Sequence, residues 1–90
     1  MASWKNEEEM REWVRRARRG DPAAREELIL GNLGLVRSVV KKLASSLSHD
    51  EEDLIQYGII GLIRAVDGFD PDRGTKFSTY AVPFIGGAIL

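Results

Sequence analysis

Apolar residues recur with the spacing of an α-helix throughout this chain, and this spacing limits the fold more than any other feature. In the clearest stretch the apolar positions lie three or four residues apart, and they are Leu35, Val36, Val39, Val40 and Leu43. Valine suits strands as well, but the period here is near 3.6 residues and not 2. We therefore expect an all-α protein, a small helical bundle of four helices plus a truncated fifth.

Turn and capping residues divide the first part of the chain into helices. Asn6 before three glutamates favours a helix start, and Gly20 favours the end of that helix. Asp21 and Pro22 are typical of the next start, because aspartate caps a helix and proline suits its first position. Asn32 is expected to cap the third helix.

Two further helix starts are expected in the second half. Ser48 and Glu51 form a capping-box pattern for a fourth helix that runs to about Phe69. Ser78 is expected to cap the last helix. In that helix Pro83 removes one backbone hydrogen bond.

Two glycines, Gly58 and Gly61, lie inside the expected fourth helix. Each costs about 1 kcal/mol relative to alanine in an exposed helix. A close helix–helix contact would compensate for this loss, so we expect a neighbouring helix to approach at these positions.

The overall composition is that of a soluble globular domain. The chain has 90 residues, 43% of them apolar and 30% charged, with no cysteine. No apolar run reaches the roughly 18 residues of a membrane helix, and the start lacks the apolar core of a signal peptide. The absence of cysteine excludes disulfides and thiolate catalysis. We expect a single cytoplasmic domain with no membrane partner.

Acidic side chains are concentrated in the centre of the chain. Residues 45–72 carry seven acids against the single base Arg64, and the net charge of the chain is −1. Free-standing nucleic-acid binders usually carry a basic excess. The acidic block is better suited to a basic protein surface than to a phosphate backbone.

No group of residues has the pattern of a catalytic or metal-binding site. His49 is the only histidine, and we interpret it as a surface residue at a junction between loop and helix. The four acids after it would point in different directions on a helix, and no EF-hand loop is present. We expect no enzyme activity, no catalytic residue, no metal and no cofactor.

The stretch from Asp53 onward carries an ordered series of motifs. They are Asp53-Leu54-Ile55-Gln56, the two glycines Gly58 and Gly61, Phe69-Asp70-Pro71, and Lys76-Phe77-Ser78-Thr79-Tyr80-Ala81. This series closely resembles region 2 of the sigma-70 family, the initiation factors of bacterial RNA polymerase. Within the family it is most similar to the alternative factors of the sporulation, general-stress and flagellar types.

The resemblance implies a division of the chain. Residues 1–30 would be N-terminal helices that precede region 2, and residues 31–90 would be region 2, incomplete at its C-terminal end. In the family, the residues that read the −10 promoter element follow the position of Leu90. The resemblance therefore predicts a fragment of a longer factor.

The resemblance also implies a docking surface for the coiled coil on the β′ subunit of core RNA polymerase. Carried over by motif position, the contact residues are Glu52, Asp53, Gln56, Tyr57, Ile59 and Ile63. The acids at the helix start, and apolar residues too numerous for one buried stripe, agree with this expectation. That Ile59 and Ile63 are ordinary core residues stays open.

Members of the family melt promoters by capturing an unstacked base of the non-template strand on aromatic side chains. The resemblance assigns this stacking role to Tyr80 and Phe84, and it places Arg73 and Lys76 near backbone phosphates. For both aromatic residues, a position in the core stays open as the alternative.

Three further partners follow from the resemblance or the sequence. The full-length factor would bind promoter DNA. The alternative function is a regulatory module whose main partner is an anti-sigma factor. Self-association is a third expectation, through a truncated last helix that would expose Ile85, Ile89 and Leu90.

Overall fold

The computed structural model describes residues 4–46 and 49–90. Within these ranges the chain forms five α-helices and no strand, so the expected all-α bundle is confirmed. The helices are α1 (Glu7–Arg18), α2 (Pro22–Gly31), α3 (Leu33–Ala44), α4 (Glu51–Gly68) and α5 (Phe77–Ile89).

The first two helix starts are capped as the sequence predicts. The Asn6 side chain accepts a hydrogen bond from the backbone N–H of Glu9 at 2.9 Å. One oxygen of Asp21 accepts from the N–H groups of Ala23 and Ala24 at 3.0 and 3.2 Å. These bonds satisfy donors that the first turn of a helix leaves without backbone partners.

Of two other predicted caps, Asn32 takes the expected position without a capping bond, and Ser78 is wrong. Asn32 precedes α3, but its side chain makes no capping bond and instead donates to the Leu28 carbonyl at 2.7 Å. The cap position of α5 is Lys76, and Ser78 lies inside the helix. Ser78 fails as a cap because the helix begins one residue before it.

The start of α4 is capped by Asp50, whose carboxylate accepts from the Glu52 N–H at 2.9 Å. The predicted capping residue, Ser48, lies outside the described residues. The end of α4 at Gly68, with Phe69 as its C-cap, agrees with the expected length.

The core lies where α4 meets the other helices. Buried apolar side chains from all five helices form one cluster, and its members include Val14, Leu28, Val40, Leu62 and Ile85. Since α1 and α2 share this cluster with the later helices, one apolar core spans the described chain. The division at residue 30 stays a prediction.

The two glycines of α4 lie at close contacts, as the sequence predicts. A methyl group added at Gly61 would collide with the backbone carbonyl of Phe84 in α5. One added at Gly58 would lie 2.7 Å from a side-chain carbon of Val36 in α3. The absence of side chains here lets α4 approach both neighbours.

The exposure expected for the last helix is largely wrong. Ile85 and Ile89 are buried against the core, and only Leu90 is exposed, at 78%. Because α5 packs along α4 through the glycine contact, its isoleucines face inward. None of the described helices is both long enough and apolar enough to span a membrane.

Candidate functional site

The outer side of α4 is a continuous exposed stripe. At 3.6 residues per turn, Asp53, Gln56, Tyr57 and Ile60 lie on one side of the helix, and all four are exposed. Tyr57 is 53% exposed and Ile60 49%. The opposite side of the helix is buried against α3 and α5. We call these four residues the α4 stripe.

Ile60 was not among the docking residues assigned from the sequence. Its position seven residues after Asp53 is the signal that places it on the stripe, because residues i and i+7 share one side of a helix. In the sequence it is one of several nearby isoleucines, so the residue type alone does not indicate whether it faces the core or the solvent. A large apolar side chain half in solvent at the C-terminal end of the stripe is a natural contact point for another protein.

Three other assigned residues flank the stripe on one side. Glu52 is exposed, whereas Ile59 and Ile63 are half-buried. Ile59 packs against the core cluster. The structure thus brings all six assigned docking residues onto one contiguous arc of α4, with Ile59 at the edge that meets the core.

The N-terminal end of α4 is strongly acidic. Glu51, Glu52 and Asp53 occupy its first turn, where the helix dipole favours negative charge. Within the described chain, neither Glu52 nor Asp53 forms an ion pair. Their charges are therefore available to a basic partner.

A second candidate surface is built from aromatic rings at the junction of α4 and α5. The Tyr80 ring lies 5.4 Å from Phe69 and 4.9 Å from Phe84, measured between centroids. Phe69 also meets Phe77 edge to face at 5.3 Å. The series leads from buried Phe69 through half-buried Tyr80 to Phe84, which is 37% exposed.

An open depression of about 380 Å³ lies beside Tyr80. Its volume falls within the range of small-molecule pockets. Its lining residues are Gly68, Phe69, Asp70, Arg73, Thr75 and Tyr80. A methyl group at Gly68 would lie 2.9 Å from the Tyr80 hydroxyl, so the glycine leaves room for the phenol.

The four residues assigned to DNA are only partly brought together. Arg73 and Tyr80 line the depression, and Phe84 stands next to Tyr80 one turn further along α5. Lys76 precedes α5 and is exposed, but it is not part of the lining. Arg73 is highly exposed, and its guanidinium lies 3.7 Å from the Asp70 carboxylate.

Helix α1 is tied to the loop that forms one wall of this depression. Arg18 donates to the Phe69 carbonyl at 2.7 Å, and Arg15 pairs with Asp72 at 3.0 Å. The Phe77 N–H donates to the Glu7 carboxylate at 2.8 Å. The sequence contained no signal for these contacts, which join residues more than fifty positions apart.

Two carboxylates have shifted acid–base properties. Hydrogen bonds from the Ala24 N–H and from Arg16 lower the pKa of Asp21 below its ordinary value, while desolvation opposes the shift. A two-pronged hydrogen bond from Arg25 in α2, at 2.8 and 3.0 Å, lowers the pKa of Asp67 in α4. Both groups support the fold, and neither lines the depression.

Metal chemistry has no visible basis in the part of the chain that the structure describes. No group of three or more histidine, cysteine, aspartate or glutamate side chains converges there. The described chain instead offers an acidic and apolar stripe on α4 and an aromatic depression beside Tyr80.

Comparison with known proteins identifies the family. A family model described as Sigma-70 region 2 matches residues 28–90, well over half of the chain. The chain belongs to the sigma-70 family. The family predicted from the sequence is thereby confirmed.

Relatives in this sigma-70 family align with nearly the whole chain. The RNA polymerase sigma-G factor of Clostridium acetobutylicum is 48% identical over 83 residues, which cover 92% of this chain and 32% of the relative. The sigma-G factor of Bacillus subtilis is 47% identical and the sigma-F factor of Priestia megaterium 42% identical. The alignments cover 91% and 90% of this chain and 32% of each of these two relatives.

The chain is much shorter than these sigma-70 relatives. It spans about a third of the length of the three above, and 65% of a putative sigma-G factor of Bacillus thuringiensis. The aligned stretch extends beyond residues 28–90, so helix α1 is covered in part by the relatives although the family model leaves it out.

Proposed function

We propose that this chain is the polymerase-docking part of a bacterial transcription initiation factor, and that the α4 stripe binds the coiled coil of the β′ subunit. One observation carries the proposal: α4 is buried on its inner side and leaves an acid-tipped stripe with Tyr57 and Ile60 in solvent. The family membership supports it, since the relatives are named RNA polymerase sigma factors. Such a factor works in the cytoplasm, where the polymerase is.

The chemistry of the stripe suits a helical partner with basic residues. Tyrosine is enriched among the residues that dominate binding energy at interfaces, and Tyr57 stands at the centre of the stripe. Glu52 and Asp53 would accelerate and orient the encounter, because complementary charges act mainly on association rate and specificity. Ile59 and Ile63 would pack against the partner at the edge of the interface.

The docking proposal is tested by removing the two acids. We expect the Glu52→Gln, Asp53→Asn double variant to bind core RNA polymerase about tenfold more weakly at low salt. The difference should narrow as salt rises, because screening removes the same attraction. Affinity is measured by fluorescence anisotropy of the labelled chain.

A control variant with the same loss of net charge tests whether the weaker binding is specific to the α4 surface. The Glu9→Gln, Glu26→Gln variant loses two exposed acids from α1 and α2 and should bind like the unchanged chain. Circular dichroism must show the same helix content for both variants. Equal affinity of the two double variants would refute the docking face.

We further propose that the depression beside Tyr80 captures an unpaired base of promoter DNA. Stacking of a base on an aromatic ring is worth roughly 1–3 kcal/mol. Tyr80 is half-buried, so its ring is held in place by Phe69 while part of it stays accessible. Arg73 at the rim would contact a backbone phosphate, and Lys76 and Phe84 would extend the surface on either side.

An anti-sigma factor is the second candidate partner, and a separate surface favours it. An apolar groove of about 470 Å³ runs between α3 and α5, lined among others by Leu35, Leu43 and Val82. No residue of the α4 stripe lines this groove. The groove could thus be occupied by a regulator rather than by the polymerase surface proposed for α4. Recovery of a small regulatory protein instead of polymerase in a pull-down from lysate would favour this function.

A further inference from the structure

We infer that Glu7 is a positioning residue for the depression beside Tyr80, an inference that rests on the proposed capture of an unpaired base. Glu7 is the first residue of α1, and its carboxylate accepts a hydrogen bond from the Phe77 N–H at 2.8 Å. The contact joins the start of α1 to the start of α5 across 70 positions of sequence.

The start of α5 lacks a cap from its own neighbourhood. Lys76 occupies the cap position and makes no side-chain capping bond. The first N–H groups of a helix have no backbone partner within it, and they carry the positive end of the helix dipole. The half-buried Glu7 carboxylate supplies an acceptor and a negative charge at that point, which is the role that a local aspartate or serine usually performs.

The position of Tyr80 depends on the first turn of α5. Tyr80 comes three residues after Phe77, and its N–H donates to the Lys76 carbonyl in the first turn of α5. Phe77 is anchored edge to face on Phe69, the residue that also supports the Tyr80 ring. A looser first turn would therefore move the ring that forms one wall of the depression.

The loop that contributes Phe69 to the lining is tied to the same helix. Arg18 holds the Phe69 carbonyl and Arg15 holds Asp72, so α1 contacts the loop between α4 and α5 at two points. Together with Glu7, these contacts tie α1 both to the loop that carries Phe69 and to the start of α5, the helix that carries Tyr80. This helix lies before the stretch that the family model matches, so the family motifs alone give it no such role.

The expected loss of DNA affinity depends on the fraction of molecules in which the depression has the shape that binds a base. If a variant forms that shape only part of the time, its apparent dissociation constant rises by the inverse of that fraction. Loss of a capping bond destabilises the start of a helix. For Glu7→Ala we therefore expect about threefold to tenfold weaker binding. Glu7→Gln keeps an acceptor oxygen without the charge, so it should recover part of the affinity.

The experiment measures binding of a short single-stranded DNA oligonucleotide that contains 2-aminopurine, whose fluorescence is quenched on stacking. The whole 90-residue chain is used at low salt, at a temperature where circular dichroism shows every variant to be folded. Glu9→Ala is the matched control, because Glu9 lies in the same turn of α1 and its carboxylate, among the described residues, accepts a hydrogen bond from the Lys5 N–H alone. Tyr80→Ala reports on the depression itself.

The inference is supported if Tyr80→Ala and Glu7→Ala both bind more weakly, Glu7→Gln lies between, and Glu9→Ala matches the unchanged chain. Hydrogen exchange at the Phe77 amide should then be faster in Glu7→Ala, with the core amides unaffected. If Tyr80→Ala weakens binding but Glu7→Ala does not, the positioning role is wrong and base capture stands. If the unchanged chain does not bind, or Tyr80→Ala binds equally well, base capture fails and the inference fails with it.

Discussion

Replacing Gly61 by alanine tests the contact on which the orientation of α4 depends. An added methyl group would meet backbone atoms of Phe84 and Ile85, which cannot move without shifting the whole of α5. Gly58 differs, because its nearest neighbours are carbons of the Val36 and Ile85 side chains, at 2.7 and 3.3 Å. Gly34 in α3 has no atom within 4 Å of an added methyl group.

The three glycine positions therefore predict three different changes in the free energy of unfolding on substitution by alanine. Overpacking costs about 1–3 kcal/mol, and contact with backbone puts Gly61→Ala near the upper end. Alanine returns about 1 kcal/mol of helix propensity, which leaves a net loss of roughly 2 kcal/mol. For a domain of this size that lowers the melting temperature by about 8–16 °C. Gly58→Ala should lose less, and Gly34→Ala should gain about 0.5–1 kcal/mol because the added methyl group meets no other atom there.

Urea unfolding followed by circular dichroism measures all three variants. A domain of this size has a stability of roughly 5–13 kcal/mol, so Gly61→Ala stays folded at 25 °C and its midpoint can be compared directly. The reasoning would be refuted if Gly61→Ala were as stable as the unchanged chain. It would also be refuted if Gly34→Ala were the least stable of the three.

The remaining predictions concern base capture and pH. Tyr80→Phe keeps the ring and should bind the single-stranded DNA probe nearly as well as the unchanged chain. Tyr80→Ala should bind the probe with about tenfold lower affinity, in line with the free energy of one stacked base. Equal losses of affinity in the two variants would exclude stacking. Because the folded pKa of Asp21 lies below the ordinary 3.8, its ionised form stabilises the fold above that pH, and this contribution is lost as the pH falls through the folded pKa. Asp21→Asn should therefore be less stable than the unchanged chain at pH 7, and thermal melts should show the gap closing below about pH 3.8; a gap that is constant with pH would contradict the charge assignment.

Local signals in the sequence were enough to predict most of the helices. Periodicity placed Val36, Val39 and Val40 on one side of α3, and that side is buried. Asn6 and Asp21 cap the helices that they were expected to cap. Asn32 and Ser78 are the exceptions. Their side chains have the right chemistry, but the backbone leaves Asn32 bonded to the preceding helix and starts α5 before Ser78. Capping preferences indicate where a helix can start, and tertiary packing selects among neighbouring positions.

The candidate site was predictable only where one helix carries it. The six residues assigned to docking share α4, so motif position was enough to place them on one arc. Ile60 was missed because an apolar residue does not reveal from the sequence which way it faces. Ile85 and Ile89 were expected in solvent for the same reason, and the close approach of α4 and α5 buries them. The contact between Glu7 and Phe77 depends on two distant helix ends meeting, which no local pattern encodes.

The most direct test of the account is to map the β′ coiled coil onto the chain by nuclear magnetic resonance. Titrating the coiled coil into the ¹⁵N-labelled chain should shift the amide signals of the α4 stripe, from Asp53 through Tyr57 to Ile60. The amide of Val82 in the groove between α3 and α5 should stay in place. Shifts confined to that groove, or no shifts along α4 at saturating coiled coil, would contradict the proposal that this helix is the docking surface.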